Sequence, residues 1–158
     1  MTEPELLPVG HPAPEFTLPD SGGEPFTLSA RRGSWILLWW YPKASTPGCT
    51  LEGQALRDHA DALASAGCVV AGVSYDTTAD NEAFRSEHGF PFPLLSDTDR
   101  AVSEQYRATR AAGEDYADFP RRVSYLIDPT GVIVANYAVT DPSGHAAEVL
   151  TDLAAAQR

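Results

Sequence analysis

The strongest constraint on this chain is the run Trp35-Ile-Leu-Leu-Trp-Trp-Tyr41, closed by Pro42. It is continuously apolar, rich in aromatic rings and shorter than a typical helix, the pattern of a strand covered on both faces. Proline has no N–H to give to a ladder and stops it. Beyond it the period changes: Leu51, Ala55, Leu56, Ala60, Leu63 and Ala64 recur at helical spacing. That spacing predicts a helix from about Pro47 to Ala66, ended by Gly67. Pro47 suits a first helical position, where its missing N–H has no intrahelical partner, and Thr46 before it is a good N-cap type. Cys49 then falls in the first turn, where unpaired N–H groups and the positive end of the helix dipole favour a thiolate over a thiol. A buried strand thus delivers a reactive sulfur to the mouth of a helix.

The rest of the chain must house that pair of elements. With 158 residues and 43% hydrophobic content, residues 1–158 are expected to form one domain with a core of its own. Lys and Arg number 11 against 22 Asp and Glu, a net charge of −11, so neither nucleic acid nor an anionic membrane is the expected partner. The start, Met1-Thr-Glu-Pro-Glu-Leu-Leu-Pro8, has no basic segment followed by an apolar core, and no apolar run approaches a membrane span. A cytoplasmic protein is expected. Two cysteines are too few for a secreted disulfide framework. If residues 50–66 are helical, Cys49 and Cys68 lie at opposite ends of a helix roughly 25 Å long. A disulfide needs Cα atoms within about 7 Å, so these two cannot pair within one chain unless the helix unwinds. Cys68 opens the apolar run Cys-Val-Val-Ala-Gly-Val-Ser74 and reads as a small buried thiol in a core strand.

In chain order, Pro8 to Pro14 should cross the surface as extended coil. Glu15-Phe-Thr-Leu18 and Pro25-Phe-Thr-Leu28, joined by a turn-rich link, suit a β-hairpin. The strand at residue 35, the cysteine helix and a strand from Cys68 to Tyr75 make a β-α-β unit, whose strands should be parallel neighbours. A helix from Asp76 to Gly89 should turn Ala83, Phe84 and His88 inward. The proline-broken segment after Phe90 leaves room only for a short edge strand around Leu94 and Leu95. Asp97 to Tyr106 offers a short helix, and residues 107–120 a surface loop able to border a site. Arg122 to Asp128 and Val132 to Ala138 flank Asp128-Pro-Thr-Gly131, a hairpin signal, and Ala146, Val149, Leu150 and Leu153 give a C-terminal helix. His11, His59, His88 and His145 are scattered with no close ligand pair, and no Gly-rich phosphate loop follows a strand, so neither a metal nor an organic cofactor is expected.

Pro42-Lys-Ala-Ser-Thr46-Pro-Gly-Cys49 matches the Pro-x-x-x-Thr-x-x-Cys signature of peroxiredoxins, and Tyr-Pro-Lys-Ala-Ser-Thr-Pro-Gly-Cys-Thr resembles the bacterioferritin-comigratory or Q-type subgroup. Leu-Arg-Asp at 56–58, Gly-Val-Ser-Tyr-Asp at 72–76, Pro-Leu-Leu-Ser-Asp at 93–97 and Arg-Val-Ser-Tyr-Leu-Ile-Asp at 122–128 stand in that subgroup's order, so the resemblance spans nearly the whole chain. It implies an α/β, thioredoxin-like fold: a central mixed sheet flanked by helices, with an N-terminal hairpin. It further implies thiol-dependent reduction of hydrogen peroxide and small organic hydroperoxides, with no cofactor.

Carried over residue by residue, the resemblance makes Cys49 the peroxidatic cysteine, Thr46 its hydroxyl partner, Pro42 its shield and Arg122 its arginine. Each role makes chemical sense, because attack on an O–O bond drives negative charge onto the departing oxygen and preplaced donors stabilise it. Arg122 offers a planar fork of donors that lysine cannot reproduce. Without the resemblance, an arginine opening a strand beside Arg121 would be an ordinary surface charge. Glu52, one turn after Cys49, would by itself oppose a thiolate and is read as an orienter of Arg122. Many members of the subgroup carry a second cysteine five residues after the first, and here that position is Gln54. One-cysteine behaviour is expected, with no resolving cysteine in the chain and a thioredoxin-like or low-molecular-weight thiol as the external reductant of a monomer or homodimer. A dithiol oxidoreductase is disfavoured because Thr46 stands where a Cys-x-x-Cys motif would put its other thiol. A peroxide sensor or relay, passing oxidation from Cys49 to a client protein, would present the same site.

Overall fold

A strand with no polar side must be covered twice, and the computed structural model, which describes residues 5–158, places the Trp35 run accordingly. Met1 to Pro4, on which the reading of the chain's start partly rests, lie outside the described residues. The elements in order are β1 (Thr17–Pro19), β2 (Pro25–Thr27), a 3-10 turn at Leu28–Arg31, β3 (Trp35–Trp40), α1 (Pro47–Asp58), α2 (Ala60–Ser65), β4 (Cys68–Ser74), α3 (Thr78–His88), β5 (Leu94–Ser96), α4 (Ala101–Gln105), β6 (Val123–Ile127), β7 (Ile133–Ala138) and α5 (His145–Ala156). Strands β1 and β2 form the antiparallel hairpin, and the other five make one sheet in the order β5-β4-β3-β6-β7. β3 is parallel to β4 and antiparallel to β6, so the sheet is mixed and β3 is central.

Alternation along β3 divides the core. Ile36, Leu38 and Trp40 pack with the hairpin residues Leu18 and Phe26 and with Val102 of α4. Leu37, Trp39 and Tyr41 point to the other face, against Leu56 of α1, Leu63 of α2, Phe84 of α3 and Val149 and Leu153 of α5. Trp39 and Trp40 are both fully buried, and each makes ring contacts on its own side: Trp39 with Tyr41 at 4.7 Å, Trp40 with Tyr106 at 4.9 Å. Offset ring pairs of this kind contribute about 0.5–1.5 kcal/mol beyond the area they bury.

Several expectations needed correction. The helix expected as one piece over 47–66 is broken at His59, whose backbone (φ −103, ψ 9) leaves helical values. The Ala55 carbonyl accepts from both the His59 backbone N–H and its ring Nδ1, and this side-chain competition marks the break. In α3 Ala83 is exposed and His88 half-buried, while Asn81 and Phe84 face inward. Apolar spacing cannot foresee an inward asparagine, because its burial depends on partners from other elements. Residues 8–14 do more than cross the surface: Gly10 donates to the Ile133 carbonyl and Ile133 to that of His11, so the lead pairs along part of the edge of β7.

Candidate active site

Strand β3 ends where its neighbours hold it, and everything chemical follows within a few residues. Tyr41 still donates its N–H to Val73, then Pro42 breaks the ladder and residues 42–46 form a loop into α1. Ser45 takes a left-handed backbone (φ 65) inside that loop. Cys49 lies in the first turn of α1, fully buried. Antiparallel pairing sets Trp39 opposite Ser124, so extension of the same register carries the chain before β6 alongside the end of β3. Arg122 arrives there, with Val139 donating to its carbonyl.

The Arg122 guanidinium divides its donors between two partners. Nη2 lies 3.6 Å from Cys49 Sγ, and Nη1 donates to Glu52 Oε1 at 2.9 Å. Burial works against the arginine's charge, but the proximity of Cys49 and Glu52 outweighs it and holds the Arg122 pKa above its ordinary value. Glu52 is fully buried, and its second oxygen, Oε2, has no hydrogen-bond partner. Burial pushes its carboxyl up to about 7, with Arg122 pulling the other way. Gly48 permits the close approach: a Cβ there would stand 2.7 Å from Arg122 Nη2.

Cys49, Glu52 and Arg122 are therefore brought together, and Pro42 and Thr46 stand on the loop that enters the same helix. Thr46 differs in one respect. It is the N-cap residue by backbone angle, but its hydroxyl caps no helix N–H and instead donates to the Lys43 carbonyl at 2.7 Å. The oxygen's lone pairs remain available as acceptors. The loop at 107–120 does border this region, with Lys43 Nζ 5.7 Å from the Phe119 ring centre. His145, read as an isolated residue, is buried beside β6, with Nε2 2.9 Å from Ser124 Oγ and Nδ1 3.1 Å from Glu148. Among the described residues no group of three or more His, Cys, Asp or Glu could hold a metal ion, and no helix is long and apolar enough to cross a membrane. Cys68 lies at the start of β4, and burial raises its thiol to about 12.

Asp76 was not singled out from sequence. Its carboxylate accepts the backbone N–H of Ala44 at 2.8 Å, inside the cysteine loop. The available signal was its place just beyond the carboxyl end of a parallel strand, where α/β sheets gather their sites.

A mixed sheet whose central strand runs into a helix carrying a buried cysteine beside an arginine is a thioredoxin-like arrangement that presents a thiol to a guanidinium. The AhpC/TSA family model matches residues 9–136. Peroxiredoxin Bcp of Escherichia coli K12 is 41% identical over 130 residues, covering 80% of this chain and 83% of that one. Among solved structures, a cysteine mutant of Xylella fastidiosa PrxQ superposes with a TM-score of 0.90 at 30% identity, covering 98% of this chain and 100% of that one. The Xanthomonas campestris bacterioferritin comigratory protein, described for its alkyl peroxide reduction activity, gives 0.84 at 33%, covering 90% and 92%. The chain belongs to the AhpC/TSA family of peroxiredoxins; its substrate is a peroxide and its reductant a thiol.

The raised Glu52 carboxyl has a measurable consequence. In the fold it keeps its proton up to about 7, against 4.5 as the ordinary value. The folded state therefore binds the extra proton between those values, and the stability this contributes is complete below the lower value and lost as pH rises through the upper one. Relative to wild type, Glu52→Gln should flatten the pH dependence of unfolding free energy across this window, by on the order of 3 kcal/mol. Denaturant unfolding at both ends of the window checks it, and parallel curves for the two proteins would refute it.

Proposed function

We propose that Cys49 is the peroxidatic cysteine of a one-cysteine peroxidase, with Arg122 and Thr46 as donor and acceptor toward the peroxide, Pro42 as shield and Glu52 as the orienter of Arg122. The observation that carries this reading is the single guanidinium shared between Cys49 Sγ and Glu52 Oε1. The Cys49 thiolate attacks one peroxide oxygen; its electron pair forms the S–O bond while the O–O bond breaks, and the departing oxygen leaves as water or an alcohol once protonated. Arg122 stabilises the negative charge that develops, in a site where water is largely excluded. The product is a Cys49 sulfenic acid.

Resolution falls to an external thiol. Gln54 occupies the position of the usual second cysteine, and Cys68, buried at the other end of the α1–α2 segment with its thiol raised to about 12, is unsuited to attack. A small thiol or the exposed thiol of a thioredoxin-like protein displaces water from the sulfenic sulfur, and a second thiol then releases reduced Cys49. The same reading extends the substrates to small organic hydroperoxides, as the Xanthomonas relative's activity suggests, and keeps residues 1–158 as one domain acting as a monomer or homodimer in a reducing cytoplasm. A relay function shares the first step, and no feature of the site favours it over turnover.

Intact-protein mass spectrometry after peroxide addition, with and without a sulfenic-acid trap, tests the scheme. Wild type and Cys68→Ser should each gain one trappable oxygen and form no intramolecular disulfide, while Cys49→Ser should gain none. A rapid disulfide between Cys49 and Cys68 would overturn the one-cysteine reading, and an unreactive Cys49 would overturn the site.

A further inference from the structure

Resting on that reading of Cys49, we propose that Asp76 is a positioning residue for the peroxide reaction, a clamp that sets the 42–46 loop and with it the Thr46 hydroxyl. The loop needs one. It has no helix or ladder of its own, it contains Ser45 at φ 65, and the Thr46 hydroxyl is satisfied within the loop by the Lys43 carbonyl. Ala44 is its buried point, and the Ala44 N–H is given to Asp76 Oδ2 at 2.8 Å.

Asp76 is itself braced from the sheet. The Ser74 hydroxyl, at the end of β4 and fully buried, donates to the same Oδ2 at 2.8 Å, and the Asp76 N–H returns to Ser74 Oγ at 3.2 Å. A second tether flanks Pro42 from the other side. The Tyr41 hydroxyl donates to Asn81 Oδ1 at 2.6 Å, and Asn81 Nδ2 donates to Ser96 Oγ at 3.1 Å. Pro42 thus hangs between Tyr41, held by α3, and the Ala44 amide, held by Asp76, and Thr46 follows two residues after that amide. Such a bracket does not bear directly on the Cys49–Arg122 contact, which is held by α1 and by the residue that leads into β6. Its loss should therefore displace only the loop's side of the site, and a misplacement of about 1 Å in a reacting arrangement can cost ~100-fold in rate.

Both bonds to the carboxylate end on Oδ2, so an amide oxygen in that place can accept them both. The test compares wild type, Asp76→Ala, Asp76→Asn and Cys49→Ser as reduced full-length proteins in two reactions followed at residue 49 by peptide mass spectrometry: single-turnover oxidation by hydrogen peroxide, and alkylation by iodoacetamide. Alkylation needs the thiolate and a path to it, whereas oxidation needs the aligned donors as well. Asp76→Ala should lose about 10- to 100-fold in oxidation with alkylation within about twofold of wild type, and Asp76→Asn should restore most of the oxidation rate. Equal loss in both reactions would assign Asp76 a merely structural role and overturn the proposal; so would wild-type oxidation by Asp76→Ala, or an Asn variant as slow as the Ala one. Should Asp76→Ala fail to fold, Ser74→Ala removes the brace behind Asp76 and must show the same selective loss for the proposal to stand. Failure of the Cys49 reading is separately visible, as peroxide consumption that survives Cys49→Ser.

Discussion

Replacing Arg122 with methionine is expected to slow single-turnover oxidation of Cys49 by about 100- to 1,000-fold while leaving the protein folded. The rate loss follows from geometry: one guanidinium nitrogen faces Cys49 Sγ at 3.6 Å and the other is fixed by Glu52 at 2.9 Å, so the donor is aimed before the peroxide arrives. Removing one preplaced donor of this kind typically costs about 2.7–4 kcal/mol of transition-state stabilisation. The fold should tolerate the change because Glu52 is already poised to be neutral. Its carboxyl stands at about 7 with Arg122 pulling it down, and without the arginine it rises further, leaving no buried charge behind. Arg122→Lys should recover little, since a single ammonium cannot hold Glu52 and face the sulfur at once. Stopped-flow oxidation alongside thermal unfolding measures both halves, and a methionine variant within about threefold of the wild-type rate would remove Arg122 from the mechanism.

Gly53→Ala is expected to destabilise the protein by about 1–2 kcal/mol, against the usual preference of helices for alanine. Helix propensity favours the substitution by about 1 kcal/mol. Packing opposes it more strongly: a Cβ at Gly53 would stand 2.4 Å from Cζ of the Phe90 ring. That ring is 1% exposed and held between Phe92 and Phe84 at centroid distances of 5.2 and 5.0 Å, so it has nowhere to swing. Overpacking a filled core costs about 1–3 kcal/mol, occasionally more. Gly53 lies one turn beyond Cys49 on α1, so the displaced helix should carry the sulfur away from Arg122 and slow oxidation as well. The double variant Gly53→Ala/Phe90→Leu should lose less than the sum of the two single changes, by about 1 kcal/mol or more. Strict additivity, or a gain in stability from Gly53→Ala alone, would show that the ring does not govern the approach of α1.

The sulfur and its helix were legible because their signals are local. An apolar run stopped by proline, followed by a change of period and a proline-threonine helix start, needs no distant residue to be read, and β3 and α1 stand where those signals put them. Local signals also misled. His59 ends α1 through a side-chain bond to Ala55 that apolar periodicity cannot register, and Thr46, a favoured capping residue, gives its hydroxyl to Lys43 instead. In α3 the inward position belongs to Asn81, because Tyr41, just past the end of β3, and Ser96 of β5 supply its partners.

The sequence by itself therefore determined the central strand, the helix carrying Cys49 and, through its resemblance to a family, the distant Arg122. Only the tertiary structure decided that Arg122 shares its fork between Cys49 and a fully buried Glu52, that Gly48 and Gly53 are the places where other groups come too close for a side chain, and that Asp76 grips the loop between strand and helix. The physical reason is the range of the information. Period, capping and chain breaks are properties of neighbouring residues, whereas a carboxyl's proton affinity, the clearance over a glycine and the partner of a loop amide depend on atoms that the sheet brings together from more than thirty positions away, as with Ala44 and Asp76, which are separated by 32 residues.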